Sequence, residues 1–516
     1  MQVFHGKIIT CDENNTIASY LVEKEGRIAF IGDELPAQYE LVPPVELGDN
    51  VVIPAFVDTH NHYSSYAVLH KFVPIKDTDS NKAILEQLRS YAQKSREPII
   101  VGFGASEFAV SEGYLILKEQ LDEICPDKPL CLIKHDAHSG VVNSVFIDAI
   151  RNKAVTLRGY NEETGEMTQE AFRAVAEYVF KGFSTRRVID AMVETTDFLA
   201  SKGIGMFCSA SGIGFIRDYD YDMEKSVAKG IDNGIQMRVA FQTNDILRST
   251  KRDMKRVVFS NLDGTFSNQD AALIDEYSTI HNRGVSYFSD EEVQKFCIDA
   301  NRAGYQIALH AVGDAAFDQA TRALALALED YPRYDHRHMI LYASLPTESG
   351  LQLCGKYGIL LSVTPDSTEH PTNAYSYFEK VLGEDRAARL NPFRHAIDLG
   401  VRLCFNSGAP AFDPDPISWI HNACNNRNNN QSITVYEALR AATYYGAYSC
   451  FEEKERGTLE IGKSCDLVIL DSDIYSVPVE NISKINVSEI YLKGKSYERS
   501  RTGAMATMLR GMFPQN

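Results

Sequence analysis

The chain has 516 residues and a formal net charge of −18, with 44% hydrophobic and 24% charged residues. This composition is typical of folded globular proteins and excludes a disordered chain. A chain of this length exceeds what one hydrophobic core usually serves, so we expect a large domain and a smaller one. No block of Lys and Arg residues offsets the negative charge, which would repel phosphate backbones and anionic lipid surfaces. We therefore expect neither a nucleic-acid partner nor a membrane partner.

The cysteines and the first residues indicate a cellular setting. The ten cysteines are scattered, and no Cys-x-x-Cys pair suggests a zinc or redox site. We interpret them as small buried hydrophobic residues rather than disulfide partners. The N-terminal segment lacks the basic and apolar regions of a signal peptide, and no apolar stretch approaches the roughly 20 residues of a membrane span. The expectation is a reducing, cytoplasmic location.

Both ends of the chain have the pattern of short strands separated by turns. The N-terminal segment alternates apolar and polar residues, as in QVFHGKIIT, and the C-terminal segment repeats this texture in GTLEIGKSCDLVILD. We expect residues 1–54 and 455–516 to form one small β-sandwich domain together.

The middle of the chain alternates apolar strands with amphipathic helices. Nine apolar runs, from VVIPAFVD to VRLCFNSGAP, are predicted strands. Between some of them, apolar residues recur at intervals of three and four, which predicts helices packed on the barrel at residues 84–95, 292–304 and 317–331. Strand followed by helix, repeated this often, implies parallel βαβ units, and about eight of them close most economically into a barrel. We therefore predict an α/β fold with a TIM-like (β/α)8 barrel over residues 55–454. A long segment within about 64–192 predicts an insertion over the barrel mouth.

A His-x-His pair follows the first of these strands, in VVIPAFVDTHNH at residues 51–62. If residues 51–57 form a strand buried on both faces, side chains two apart point to the same side, so His60 and His62 converge. The run YQIALHAVGD places His310 at another strand end, and in a barrel these ends face the active site. Neutral imidazoles suit a divalent metal, so we predict one ion (zinc, iron or manganese) on these three residues. The alternative for a lone histidine at a strand end is a structural role, in which its ring is hydrogen-bonded within the protein and binds no metal.

The motifs taken together resemble a known family. AFVDTHNH, LDEICPDKPLCLIKHDAHSGVVNS, ALHAVGDAAFDQA and GTLEIGKSCDLVILD are similar to segments of the amidohydrolase superfamily, in its amidohydrolase-3 or YtcJ-like branch, which includes the N-substituted formamide deformylases. The resemblance spans nearly the whole chain. It implies a (β/α)8 barrel with a β-sandwich built from both chain ends, and hydrolysis of an amide- or formamide-type C–N bond in a small-molecule substrate. Homodimers are common among such proteins, and a monomer is equally open.

Three positions depart from the pattern that the resemblance implies. Family members use a carboxylated Lys, a further His and a last-strand Asp, where this chain has Phe259, Tyr342 and Gly408, with Lys255 four residues before Phe259. Without a bridging anion two dications repel strongly, so a binuclear centre is not expected. Gly408 supplies no carboxylate to act as general base. The resemblance therefore implies an atypical mononuclear site.

Three further residues are candidates for the chemistry. Asp263, at a strand end, could orient a water molecule, although an Asp-Gly pair is as often a turn. The phenol of Tyr342 could donate a hydrogen bond to a substrate carbonyl or oxyanion, or could simply pack. His138 matches a family histidine, and substrate contact and loop stabilisation are equal alternatives for it.

Two functions stay open from the sequence. The first is a hydrolase with a mononuclear metal site on the three histidines. The second is a non-hydrolytic descendant, either a ligand-binding protein or a lyase or isomerase, that has lost the family's catalytic machinery. Fold alone does not separate them, because function lives in the site.

Overall fold

The computed structural model describes residues 1–75, 78–211, 219–247, 256–259, 261–368, 375–499 and 503–512, so Lys255 lies outside the described residues. The strands are β1 (Gln2–Ile9), β2 (Ile17–Lys24), β3 (Arg27–Gly32), β4 (Pro44–Pro54), β5 (Phe56–Asn61), β6 (Val73–Pro74), β7 (Ile100–Ala105), β8 (Leu130–Lys134), β9 (Gly140–Val142), β10 (Glu166–Met167), β11 (Ile204–Ser211), β12 (Gln236–Gln242), β13 (Arg256–Val258), β14 (Gln306–Ala311), β15 (Met339–Tyr342), β16 (Leu360–Val363), β17 (Leu403–Phe405), β18 (Leu467–Leu470), β19 (Val487–Leu492) and β20 (Lys495–Ser496). The α-helices are α1 (Tyr63–Leu69), α2 (Asn81–Lys94), α3 (Lys118–Ile124), α4 (Ser144–Ala154), α5 (Gln169–Lys181), α6 (Thr185–Ser201), α7 (Tyr219–Gly230), α8 (Asp290–Arg302), α9 (Asp314–Asp330), α10 (Glu348–Tyr357), α11 (Tyr375–Leu382), α12 (Glu384–Ala387), α13 (Phe393–Asp398), α14 (Pro416–Cys424), α15 (Val435–Ala442), α16 (Tyr444–Ser449) and α17 (Ala504–Met512).

An eight-stranded parallel sheet forms the centre of the molecule. Its order is β5-β11-β12-β13-β14-β15-β16-β17, and each neighbouring pair is parallel. The edges β17 and β5 meet through two backbone hydrogen bonds: Gly408 N–H donates to the His60 carbonyl at 3.2 Å, and His62 N–H donates to the Ala409 carbonyl at 2.7 Å. The sheet is thus nearly closed, and the predicted α/β barrel is confirmed.

The apolar run at residues 51–57 belongs to two sheets, so its prediction as a single barrel strand is wrong. The run is split between β4 and β5, because Ala55 N–H donates to the Asp466 carbonyl at 3.0 Å while Phe56 N–H donates to the Gly203 carbonyl at 2.9 Å. Asp466 precedes β18 and Gly203 precedes β11, so the chain changes sheets at this point. The terminal sheet has the order β20-β19-β18-β4-β1-β2-β3 and draws strands from both chain ends.

The segment between α1 and α6 forms a separate five-stranded sheet, β10-β9-β8-β7-β6. The run PLCLIKHD, predicted as a barrel strand, is β8 of this sheet, so eight of the nine apolar runs supply the barrel. The helix predicted at residues 84–95 is present as α2, but its predicted packing on the barrel is wrong, because Ile84 and Leu88 pack with Ile100 and Leu132 of this sheet. Apolar periodicity shows that a helix face is buried but does not show which sheet covers it. Within the described ranges, no helix is long and apolar enough to cross a membrane.

Candidate active site

His60 and His62 converge at the barrel mouth, as their spacing predicts. His60 lies near the end of β5 and His62 precedes α1, with ring centroids 5.1 Å apart. His62 Nδ1 lies 3.0 Å from the Ala210 carbonyl, which only accepts, so Nδ1 carries the proton. This tautomer leaves the lone pair of His62 Nε2 available to a ligand.

His310 lies in β14 with its ring near Asp263, but its Nδ1 is buried without a hydrogen-bond partner in the described structure. His310 Nδ1 is 3.5 Å from Asp263 Oδ1. The Asp263 carboxylate is fully buried and accepts backbone hydrogen bonds from Ala272 at 3.0 Å, Val312 at 3.0 Å and Gly313 at 2.8 Å. These bonds use its acceptor capacity inside the protein, and the cavities described below are lined without it. The geometry favours a positioning role for Asp263 over the predicted role of orienting water.

The His60 and His62 imidazoles are neutral at pH 7. Burial lowers the pKa of His60 well below its usual value and lowers the pKa of His62 to about 4, with neighbouring imidazoles adding to both effects. Neutral imidazole is the form that binds a metal, and a carboxylate or carbonyl behind the ring is a common support for such ligands. The donor chemistry of His60, His62 and His310 therefore fits a divalent metal. Their spacing fits less well, since the described part of the chain contains no group of three His, Cys, Asp or Glu side chains placed to hold one.

Tyr342 is the residue that contacts both halves of this histidine set. Its ring packs edge-on against His60, at 5.7 Å between centroids, and against His310, at 4.8 Å. Tyr342 ends β15 with φ of 70°, a left-handed conformation that is unusual for a bulky residue and typical of functional sites. Burial raises the pKa of Tyr342 above its usual value, and the Asp58 carboxyl adds to the effect. The phenol is thus a neutral hydrogen-bond donor.

Gly408 and Tyr342 are spatially linked. A Cβ atom at residue 408 would lie 2.9 Å from Tyr342 Cε1 and 3.0 Å from Tyr342 Oη. The tyrosine ring therefore fills the space that a side chain at residue 408 would need. Two of the three departures seen in the sequence form one structural unit, since the larger residue at 342 is compatible with glycine at 408.

Phe259, the third departure, does not face the site. Its ring packs against Phe288 at 4.8 Å and Phe296 at 4.6 Å, within the layer between the barrel and α8. Val258, one residue earlier, lies instead in the cluster that fills the barrel interior. Residue 259 therefore offers the mouth neither a bridging ligand nor an aromatic wall.

Two adjoining cavities open beside the histidines. The first, of about 150 Å³, is lined by His62, Tyr342 and Gly408 from the barrel and by apolar side chains such as Phe172 and Phe180 from α5. The second, of about 80 Å³, includes His310 and also Tyr342. Both are bounded by Asp136, His138, Tyr342 and Ala411. A largely apolar chamber with a few convergent polar groups suits a small organic ligand.

His138 lies where the insertion meets the barrel mouth, between the two cavities. Its Nδ1 donates to the Asp136 carbonyl at 2.7 Å, and its Nε2 lies 3.5 Å from Asn261 Nδ2. This placement leaves both alternatives from the sequence open, because the ring supports its own loop and also lines the cavities.

Several polar residues of the cavities were missed by the sequence reasoning. Gln242 ends β12 and Asn261 follows β13, and the amide groups contact each other at 3.3 Å between Nε2 and Oδ1. His135 and Asp136 lie three and two residues before His138 and line the second cavity. Polar residues at strand ends, and the HDAH run itself, were the signals that could have identified them.

Asp136 is an ionised carboxylate and a weak base. Burial acts to raise its pKa, but His135, His138 and hydrogen bonds prevail and lower the pKa to about 2. It accepts hydrogen bonds from His138 N–H at 3.0 Å and from Ser267 Oγ at 2.7 Å. His135, by contrast, is buried, and neither of its ring nitrogens has a hydrogen-bond partner among the described residues.

A parallel α/β barrel with imidazoles from its first and later strands at the mouth defines a protein of the metal-dependent-hydrolase class. A family model described as "Amidohydrolase family" (Amidohydro_3) matches residues 45–497, and the chain belongs to this family of hydrolases. The chain is 23% identical to N-substituted formamide deformylase of Arthrobacter pascens, over 97% of this chain and 98% of that protein. It is also 23% identical to YtcJ of Bacillus subtilis strain 168, a protein named as an amidohydrolase. This match covers 88% of this chain and 90% of that protein.

The fold has solved counterparts. The crystal structure of an uncharacterised metal-dependent hydrolase from Pyrococcus horikoshii OT3 superposes with a TM-score of 0.73 at 20% identity, covering 93% of this chain and 99% of that one.

Proposed function

We propose that the protein hydrolyses a carbon–nitrogen bond of amide or formamide type in a small, mostly apolar molecule bound at the barrel mouth. His60, His62 and His310 would hold one divalent ion (zinc, iron or manganese). The observation that carries the proposal is the convergence of two neutral imidazoles and His310 on the Tyr342 phenol beside an apolar cavity. The names of relatives that are deformylases or amidohydrolases support the bond class.

In the proposed reaction, each residue at the barrel mouth has its own part. A bound metal would act as a Lewis acid for the scissile carbonyl. Tyr342, protonated because it is buried, would donate a hydrogen bond to the developing oxyanion. Apolar side chains of α5 would exclude water from the substrate's non-reacting part, and His138 would contact the substrate from the insertion.

The general base would come from the insertion, because Gly408 has no carboxylate and Asp263 is bound by backbone amides. His135 is the best candidate, since it lines the second cavity and its two ring nitrogens have no hydrogen-bond partner in the described structure. Ionised Asp136 beside it would stabilise the imidazolium that forms. Replacing His135 with Gln should lower kcat while leaving KM within about twofold.

A panel of N-substituted formamides and amides tests the activity. We expect hydrolysis of at least one of them, a loss of ~100-fold or more in kcat/KM for His60→Ala, and ~10-fold or more for Tyr342→Phe, which removes only the donor. His395→Ala is the matched control, because His395 is exposed and pairs with Glu348 away from the mouth. If no panel member were hydrolysed, or if His60→Ala cleaved it as fast as His395→Ala, the proposal would fail.

One observation favours a second candidate, a ligand-binding protein without hydrolysis. Tyr342 fills the space beside Gly408, so the last strand delivers no acid or base. In that case panel compounds would raise the thermal unfolding temperature without being consumed, and Tyr342→Phe would weaken binding. Consumption of any compound that His60→Ala leaves intact would exclude this second function.

A further inference from the structure

A second polar cluster lies at the opposite end of the barrel, around the buried side chain of Arg256. Its Nε donates to Gln306 Oε1 at 2.8 Å, Nη1 to the Thr59 carbonyl at 3.2 Å, and Nη2 to the Ser449 carbonyl at 2.7 Å. Two thiols complete the cluster: Cys208 Sγ lies 2.8 Å from Nη1 and Cys450 Sγ lies 3.5 Å from Nη2.

The guanidinium is a buried cation that no carboxylate contacts within the described ranges. An arginine cannot release its proton in a protein, and a buried charge without a counter-charge is costly. A thiol can ionise, and thiolates form beside Arg. Both thiols contact the guanidinium, and Cys450 is the more exposed of the two. A hydrogen bond with Cys208 and the charge of Arg256 also lower the pKa of the Cys450 thiol against the effect of burial.

The two thiols also have access to small molecules. Both line a cavity of about 430 Å³ that also borders Arg256 and Gln306. Cys450 is 9% exposed and Cys208 is 3% exposed, whereas Cys404, in the same part of the barrel, is fully buried. Reactive cysteines lie in electropositive, partly accessible surroundings of this kind, and inert cysteines do not.

We propose that Cys450 and Cys208 form a redox-active dithiol, in which the Cys450 thiolate, paired with Arg256, reacts with hydrogen peroxide and Cys208 closes a disulfide. In the first step the Cys450 sulfur attacks one peroxide oxygen, the O–O bond breaks, and sulfenic acid and hydroxide form. In the second step the Cys208 sulfur attacks the sulfenic sulfur, the S–S bond forms, and hydroxide leaves. The proton that Cys450 released on forming its thiolate and the proton of the Cys208 thiol convert both hydroxides to water, so the pair loses two electrons and peroxide gains them. This inference does not depend on the proposed function.

Differential alkylation of the native full-length chain with iodoacetamide at pH 7, read by peptide mass spectrometry, tests the thiolate. We expect Cys450 to react ~10-fold or more faster than Cys404, the matched buried control. Arg256→Gln should slow Cys450 to the rate of Cys404, and Arg256→Lys, which keeps the charge and the fold-stabilising donor, should retain most of the difference. Equal rates for Cys450 and Cys404 in the wild type would overturn the proposal.

Peroxide treatment tests the pairing. A peptide containing Cys208 linked to one containing Cys450 should appear with peroxide and disappear with dithiothreitol. Cys208→Ser should instead leave Cys450 as sulfenic acid, trapped by dimedone, and Cys404→Ser should change nothing. Failure to form the linked peptide, or its formation at the same rate in Arg256→Gln, would contradict the proposal.

Discussion

The two ends of the barrel solve the problem of buried charge in opposite ways. Near the mouth lie two buried carboxyls, Asp58 and Glu224, which no cation contacts among the described residues; burial raises the pKa of Asp58 to about 6 and of Glu224 to about 7. At the other end lies a buried cation, Arg256, without a carboxylate. A buried carboxyl with a raised pKa takes up a proton as the pH falls, whereas a guanidinium cannot lose one, so the buried cation depends on a neighbouring thiolate instead.

The same strands serve both ends. Strand β5 gives the Thr59 carbonyl to Arg256 and His60 to the mouth; β14 gives Gln306 to Arg256 and His310 to the mouth. Because all eight strands are parallel, their N-terminal ends gather one set of side chains and their C-terminal ends another. At the mouth, the neutral imidazoles of His60 and His62 and the Tyr342 phenol are suited to binding a ligand. At the N-terminal end of the strands, the Arg256 guanidinium stabilises the fold and favours reactive thiols.

The largest difference between the ends should appear on replacing the buried cation. Arg256→Met removes the guanidinium bonds to three buried acceptors, of which the Ser449 carbonyl keeps a hydrogen bond from Gln306 Nε2, and should lower the free energy of unfolding by ~3–5 kcal/mol, measured by urea denaturation. Arg394→Met is the control, because Arg394 pairs with Glu437 at 2.8 Å near the surface and should cost ~1 kcal/mol or less. Equal losses for the two variants would show that Arg256 does not organise its end of the barrel.

The mouth should respond to pH through Glu224. Burial raises the pKa of this carboxyl to about 7 in the native protein, whereas the unfolded chain releases the proton near the ordinary pKa of 4.5. Wild-type stability therefore falls as pH rises from 4.5 to 7. Glu224→Gln removes this loss, so the stability of the variant relative to wild type should increase from pH 4.5 to pH 7. The difference should reach ~3 kcal/mol above pH 7.

Unfolding curves of both proteins at pH 5 and pH 8 measure this effect. A stability difference between Glu224→Gln and wild type that is the same at the two pH values would contradict the account of the mouth. Glu437→Gln is a suitable control, because Arg394 and Thr434 hold the pKa of Glu437 below its usual value despite partial burial.

A smaller effect should reveal the link between Tyr342 and residue 408. Gly408→Asp must place a Cβ at 2.9 Å from the tyrosine ring, so it should destabilise the protein by ~1–3 kcal/mol more than Gly48→Asp. Gly48 has the same φ of +60° and nothing within 4 Å, so it reports the backbone strain alone.

The double variant Gly408→Asp with Tyr342→His sharpens this result. Removing the phenol should cancel most of the excess destabilisation, which a thermal melt of the four proteins in the cycle measures. Additive effects of the two substitutions would mean that the ring does not occupy the space in question.

The sequence predicted the barrel, the convergence of His60 and His62, and the residues that depart from the family pattern. The barrel and the convergence follow from local rules, because apolar runs set strands and a spacing of two sets a common side. The departures follow only from the resemblance to the family. The sequence predicted a domain boundary between residues 54 and 55 and yet a single strand over VVIPAFVD, because this run is apolar throughout and only the partners of two consecutive amides distinguish the sheets. It did not predict which sheet α2 covers.

The thiol cluster was beyond the sequence for a different reason. All ten cysteines are buried and free, as predicted, yet the interpretation of each as a simple hydrophobic residue does not suit Cys208 and Cys450. Their environment is created by Arg256 and by the chain after α16, residues far apart in sequence. Sequence spacing detects only residues that are close along the chain, so it gives no signal for a cluster of residues that are far apart in sequence.

Metal content is the most direct test of the proposed metal site at the barrel mouth. We expect protein purified without chelator to carry about one equivalent of zinc, iron or manganese per chain, and His60→Ala to carry almost none while His395→Ala keeps it. Added metal should also raise the unfolding temperature of chelator-treated wild type but not of His60→Ala. Less than ~0.1 equivalent in the wild type, with no change in unfolding temperature on adding any of the three metals, would contradict the account.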